Sequence, residues 1–124
     1  MDEQSLIKYM ITKRYKEGEY VCWDFVRDIY KDLYNIDLPE YPADEIQAEF
    51  KYELTSNIKH KKIPTGEAQE GDIIVFSLFA NQHAGVMINN ESFIHLPKTG
   101  VQVSDIADVG KNYVIYRMEK EVKN

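Results

Sequence analysis

The chain has 124 residues with 15 Lys or Arg and 21 Asp or Glu, so its formal net charge is −6. This length suits one domain over residues 1–124, and the 44% hydrophobic content indicates a folded chain rather than a disordered one. The acidic balance excludes a broad basic face for nucleic-acid phosphates, and no stretch approaches the roughly 18 apolar residues that cross a bilayer.

The N-terminus is polar and is followed by a short predicted helix. Residues 1–4 include two acidic side chains with no apolar run behind them, unlike a secretory signal. Synthesis in the cytoplasm is therefore expected, and action elsewhere would need another delivery route. The helix is predicted over residues 4–14, with one side carrying Leu6, Tyr9 and Met10.

The clearest helical signal begins at Cys22. Apolar residues recur at i, i+3, i+4, i+7, i+8 and i+11, at Cys22, Phe25, Val26, Ile29, Tyr30 and Leu33. This spacing predicts an amphipathic helix of about three turns, with Cys22 in its first turn. Asn35 and Pro39 follow it as stop signals.

The middle of the chain combines a further helix, a basic cluster and a loop. Three apolar residues at i, i+4 and i+8 predict a helix over residues 43–58. The basic cluster at residues 59–62 includes His60, and we interpret it as a solvated loop rather than a binding patch. Residues 63–71 predict a loop because they contain Pro and Gly.

From residue 72 onward the sequence is typical of β-structure. Branched and aromatic residues predict extended segments at residues 72–79, 84–88, 92–96, 101–103 and 113–118. Helices followed by a meander of strands predict an α+β fold, in which N-terminal helices pack on an antiparallel sheet.

The single cysteine is the first candidate for chemistry. It excludes an intrachain disulfide, and a lone thiol is either a small buried apolar residue or a reactive group. At a helix start, unpaired backbone N–H groups and the helix dipole lower a thiol pKa, so we expect Cys22 to be reactive. The nearby carboxylate of Asp24 opposes this effect.

The strand pattern relates two of the three histidines. If residues 89–91 form a three-residue loop, Gly85 pairs with His95, and His83 lies on the same face of the hairpin as His95. The two imidazoles are then diagonal neighbours. The alternative is one core histidine and one surface histidine, and a two-residue loop would separate the rings in that way. His60 is expected to be solvated.

Together, Cys22, His83 and His95 form a candidate catalytic triad, with the sulfur expected to point at both imidazoles. His83 would take the thiol proton and His95 would orient His83 through a hydrogen bond. The thiolate would attack a carbonyl to give an acyl-enzyme, and His83 would return the proton to the leaving amine.

The backbone N–H of Cys22 would donate to the oxyanion. Candidates for a further oxyanion donor, or for lining a substrate groove, are Tyr15, Tyr20 and Trp23.

Three parts of the chain carry a family resemblance: residues 15–30 with Cys22-Trp23-Asp24-Phe25, residues 70–76, and residues 83–95 with His83-Ala84-Gly85 and Phe93-Ile94-His95. They resemble the NlpC-type cysteine peptidases of cell-wall metabolism, especially the short form encoded with phage tails. The resemblance implies a papain-like fold, no cofactor, and hydrolysis of peptidoglycan stem peptides between D-γ-glutamyl and a diamino acid. It also implies a possible phage-tail or other delivery partner.

The chain differs from the family near the nucleophile. Val21 stands where the family usually has Asp, Asp24 where it has a small residue, and Gly18 where it has a Gly-Gly pair. Three alternatives stay open: a zinc site, a catalytically degenerate module that binds wall peptide or docks in a phage tail, and an amide or acyl transferase that uses the same triad. Zinc ligands usually have a tight local spacing that Cys22 lacks.

Overall fold

The computed structural model describes residues 1–39, 60–64, 66–78 and 81–118. The helix predicted over residues 43–58 lies outside them. The helices are α1 (Glu3–Thr12), α2 (Cys22–Tyr34) and a short 3₁₀ helix (Ile106–Val109). The strands are β1 (His60–Ile63), β2 (Ile73–Leu78), β3 (Asn81–Met87), β4 (Ser92–His95), β5 (Gln102–Asp105) and β6 (Tyr113–Met118). None of the described helices is long and apolar enough to cross a membrane.

The first two helices confirm the periodicity of the sequence, with differences at single positions. The apolar stripe of α2 is buried except at its last member, Leu33, which is 37% exposed. The helix ends at Asn35, whose left-handed backbone (φ 54°) is tolerated by asparagine. In α1, Tyr9 is buried, whereas Met10, predicted on the same side of the helix, is 40% exposed.

The strands form one antiparallel sheet in the order β1-β6-β2-β3-β4-β5. The basic cluster predicted as a loop instead supplies β1, an edge strand that pairs Lys61 with Arg117 and Ile63 with Ile115. Charged residues are common on edge strands because they discourage pairing with other chains. The cluster shows no clear alternation, and β6 supplies the hydrogen-bonding partner that makes it a strand.

The β3–β4 hairpin has the predicted register. Gly85 pairs with His95 and Met87 pairs with Phe93. A Cβ atom at Gly85 would lie only 2.8 Å from the carbonyl oxygen of Ile94 and 3.1 Å from the Cβ of His95. Glycine is therefore required here by the close approach of the two strands rather than by its backbone conformation.

The two faces of the sheet pack into separate cores. One face packs against α2 and carries Ile73, Val75, Ala84, Val86 and Ile94. The opposite face packs against the 3₁₀ helix and carries Ile74, Phe76, Met87, Phe93 and Ile115. Helices on an antiparallel sheet confirm the predicted α+β class.

Candidate active site

Cys22 is the first residue of α2, and its side chain is buried. The preceding residue, Val21, has extended backbone and offers no side-chain cap. Its backbone N–H instead donates to Oδ2 of Asp24 at 2.9 Å. The carboxylate of Asp24 therefore caps the N-terminus of the helix that begins at Cys22.

The electrostatic surroundings of Cys22 differ from the expectation. Burial raises the pKa of the Cys22 thiol, and hydrogen bonds from the backbone N–H groups of Ala84 and Trp23 only partly offset it. The negative charge of Asp24 raises the pKa further. The expected lowering was wrong because removal of the thiolate from water outweighs the favourable backbone groups at the helix start.

The helix that begins at Cys22 packs on the strand that carries His83. Contacts join α2 to β3, and the backbone N–H of Ala84 in β3 contributes to the pKa of the Cys22 thiol. Ala84 follows His83 directly in the chain. The fold thus brings the start of α2 and the strand with the predicted base into one region.

His83 and His95 lie on the same face of the sheet, as the strand parity predicted. Both rings contact Phe76, with ring centroids 5.7 Å apart for His83 and 5.6 Å apart for His95. This face is opposite to the one on which α2 packs. That the sulfur of Cys22 points at both imidazoles stays a prediction.

His95 is deeply buried and hydrogen-bonded to a residue that the sequence did not indicate. It is 5% exposed, and burial, with a smaller effect from His83, lowers its pKa to about 4. Its Nε2 lies 3.0 Å from Oγ of Ser104, while its Nδ1 is buried and has no hydrogen-bond partner among the described residues. The hydrogen bond expected to join His95 to His83 is thus replaced by one to Ser104.

Ser104 could not be identified from the sequence because the predicted fifth segment ended at residue 103. In the structure, β5 continues to Asp105 and pairs Ser104 with Phe93. Paired residues share a face of the sheet, so Ser104 lies on the side that carries His95. Only a prediction of a longer fifth strand, in the correct register, could have placed Ser104 beside His95.

His83 is half-buried, and its surroundings favour the neutral form of the imidazole over the protonated form. Burial lowers its pKa, and the positive charge of Lys98 acts in the same direction. The Nδ1 atom of His83 is buried and has no hydrogen-bond partner in the described part of the chain. Lys98 is exposed and lies 3.8 Å from the carboxylate of Glu17, so an ion pair links the turn before Cys22 to the turn after β4.

Two of the three predicted groove residues make hydrogen bonds within or beside α2. Trp23 is fully buried and donates from Nε1 to the carbonyl oxygen of Pro39 at 2.7 Å, so it is a core residue and not part of an open groove. The hydroxyl of Tyr20 donates to Asp28, which directs it along α2. Tyr15 packs partly buried against the core on the α2 side, and its role in a groove stays a prediction.

No group of three His, Cys, Asp or Glu side chains that could hold a metal ion occurs in the described ranges. The described residues include one thiol at the start of α2 and two imidazoles that share a face of the neighbouring hairpin. Such an arrangement is suited to nucleophilic catalysis at a carbonyl carbon. The catalytic roles of Cys22, His83 and His95 stay predictions.

Comparison with known proteins supports the fold and the family resemblance. A model of the NlpC/P60 family matches residues 12–120. The crystal structure of the NlpC/p60 domain of the peptidoglycan hydrolase SagA aligns with 90% of this chain and 92% of that chain, with a TM-score of 0.61 and 18% sequence identity. This likeness confirms the predicted papain-like fold. A search of curated proteins finds no match.

Proposed function

Because the chain belongs to the NlpC/P60 family, we propose that it is a cysteine peptidase that cleaves peptidoglycan stem peptides. In this proposal Cys22 is the nucleophile, His83 is the general base, and His95 orients His83. The observation that carries it is that α2, which begins at the single cysteine of the chain, packs on β3, the strand that carries His83.

The pKa directions favour a neutral resting state for this pair. Burial raises the pKa of Cys22, and burial together with Lys98 lowers the pKa of His83, so neither group is charged near neutral pH. Proton transfer from the thiol to the unpartnered Nδ1 of His83 would then accompany attack on the substrate. A buried anion forms only when its cationic partner forms beside it.

Catalysis would proceed in two stages. The thiolate of Cys22 adds to the peptide carbonyl, the backbone N–H of Cys22 stabilises the oxyanion, and His83 returns the proton to the leaving amine. Water, deprotonated by His83, then hydrolyses the thioester and restores the thiol. The bond that we propose lies between D-γ-glutamyl and a diamino acid. The fold shared with a domain of a peptidoglycan hydrolase supports peptidoglycan as the substrate, and the choice of bond rests on the family resemblance.

A second function is favoured by the burial of the nucleophile. Cys22 is 7% exposed, and its pKa is raised, which are features of an inert structural thiol. A module that binds wall peptide without cleaving it is therefore the alternative to the peptidase. Delivery to the wall by a phage tail or another carrier remains a prediction from the family resemblance.

Digestion of purified peptidoglycan distinguishes these functions. The wild-type protein is expected to release fragments with a new diamino-acid amine, identified by mass spectrometry, and the Cys22→Ala and His83→Gln variants are expected to release none. Ser92→Ala provides a control on the same hairpin, because its hydroxyl is exposed and bonded to Asp105. Identical fragment profiles for wild type and Cys22→Ala would refute the peptidase, and co-sedimentation of both with peptidoglycan would support the binding module.

A further inference from the structure

Ser104 contacts Nε2 of His95, whereas Nδ1 of the same ring is buried and has no hydrogen-bond partner among the described residues. The hydroxyl lies 3.0 Å from Nε2 of His95. Phe76 contacts both imidazole rings, and Phe93 contacts His95 with ring centroids 5.0 Å apart. These aromatic contacts restrict the plane of the His95 ring, and the Ser104 hydroxyl is its only hydrogen-bond partner among the described residues.

We propose that Ser104 is a positioning residue that accepts a hydrogen bond from Nε2–H of His95 and thereby fixes the tautomer and the orientation of the His95 ring. The inference rests on the proposed function, in which His83 is the base for Cys22. Ser104 would act through His95 and not on the substrate.

The direction of the hydrogen bond follows from counting protons. A neutral imidazole has one N–H and one unprotonated nitrogen, and a serine hydroxyl can donate or accept. If His83 keeps Nδ1 unprotonated to receive the thiol proton, its other nitrogen carries the N–H and needs an acceptor. The tautomer of His95 does not depend on that arrangement: Nδ1 of His95 is buried and has no hydrogen-bond partner among the described residues, so a proton there would lack an acceptor. The proton of His95 is therefore assigned to Nε2, where the oxygen of Ser104 accepts it.

The opposite arrangement leaves the site unsatisfied. If Ser104 donated to Nε2, the proton of His95 would lie on Nδ1, which is buried and has no acceptor among the described residues. A buried donor without a partner is costly. The serine hydroxyl thereby selects the tautomer of His95, as other residues that contact a catalytic or metal-bound histidine do.

Nitrogen-15 NMR of the imidazoles tests the proposal without any substrate. Above its pKa, His95 of the wild type is expected to be protonated on Nε2, and Ser104→Ala is expected to lose this single tautomer while Ser104→Thr keeps it. The proposal is overturned if wild-type His95 carries its proton on Nδ1, or if Ser104→Ala leaves the tautomer unchanged. The wild-type spectrum decides the first point even if Ser104→Ala fails to fold.

Turnover of purified peptidoglycan gives the second readout. Ser104→Ala is expected to lower the turnover rate about 10-fold, the range typical of residues that orient a functional histidine. Ser104→Thr should restore most of it, and Ser92→Ala, which removes a hydroxyl from the neighbouring strand, should leave it unchanged. Equal rates for Ser104→Ala and Ser92→Ala would overturn the positioning role. A wild type that cleaves nothing but keeps the Nε2–H tautomer would refute the peptidase while leaving the hydrogen bond established.

Discussion

Replacement of Gly85 by alanine tests how tightly the hairpin holds His95. The new Cβ would lie 2.8 Å from the backbone oxygen of Ile94, 3.0 Å from the ring of Phe93 and 3.1 Å from Cβ of His95. The nearest atom is backbone in a paired strand, so relief requires β3 and β4 to separate by a few tenths of an ångström. Overpacking of this kind costs about 1–3 kcal/mol.

An opposing effect reduces this cost. Alanine restricts the unfolded chain more than glycine does, and a Gly→Ala change at an unstrained position gains about 0.4–1 kcal/mol. Gly85 does not have positive φ, so this gain applies. The net expectation for Gly85→Ala is a loss of roughly 1–2 kcal/mol, or a fall in Tm of about 4–8 °C for a domain of this size.

Thermal unfolding and peptidoglycan digestion together measure the effect of Gly85→Ala. Strand separation also displaces His95 from Ser104, so turnover should fall more than the loss of folded protein explains. Ser92→Ala, on the same hairpin with an exposed hydroxyl, should change neither quantity by much. A variant with unchanged Tm and unchanged turnover would show that the hairpin relaxes freely and that its close packing does not position His95.

The remaining predictions concern charge and burial. Burial and Asp24 raise the pKa of Cys22, so iodoacetamide should alkylate the free protein at half its maximal rate only above about pH 8.5. Asp24→Asn keeps an oxygen acceptor but loses the charge, so it should shift the pH profile of alkylation to lower pH. An unshifted profile would contradict the assigned cause. The pKa of His95 is lowered to about 4 in the folded state, so the unfolded chain binds more protons between about pH 4 and 6.5, and stability should fall as the pH falls through that window. In denaturant titrations, His95→Gln should reduce this dependence of the free energy of unfolding on pH. The same pH dependence in both proteins would be inconsistent with a buried neutral imidazole. Asp72 accepts two hydrogen bonds from Arg117, at 3.0 and 2.9 Å. In the same denaturant titrations, Asp72→Asn should lower the free energy of unfolding by about 3 kcal/mol. A loss below about 1 kcal/mol would mean that the ion pair behaves as an exposed one.

The site combines a thiol that resists ionisation with an imidazole that resists protonation. Both effects have the same principal cause, which is burial of Cys22 and His83. If the protein is a peptidase, substrate must approach a neutral pair, and the charged pair forms during the reaction. This behaviour differs from that of a thiol exposed at a helix start, where the dipole alone would favour the thiolate.

Local periodicity in the sequence was sufficient to predict α2 and the register of the β3–β4 hairpin. The 3.6-residue repeat from Cys22 onward predicted α2, since a helix with one apolar stripe needs no information from distant residues. Alternation along the hairpin, together with a short loop, predicted that Gly85 pairs with His95 and that His83 shares its face. These features depend on residues close together in the chain, and the two-residue repeat of a strand assigns every side chain once the loop length is known.

Tertiary structure decided the features that depend on distant partners. β1 is a strand because β6 pairs with it, and Ser104 reaches His95 because β5 continues past the predicted segment. The pKa of Cys22 is raised because α2 and β3 together remove it from water, which no local pattern at the helix start reports. The sequence by itself determined which residues share a helix stripe or a strand face, because those repeats are local. Burial and long-range hydrogen bonds were decided only when separate segments packed together.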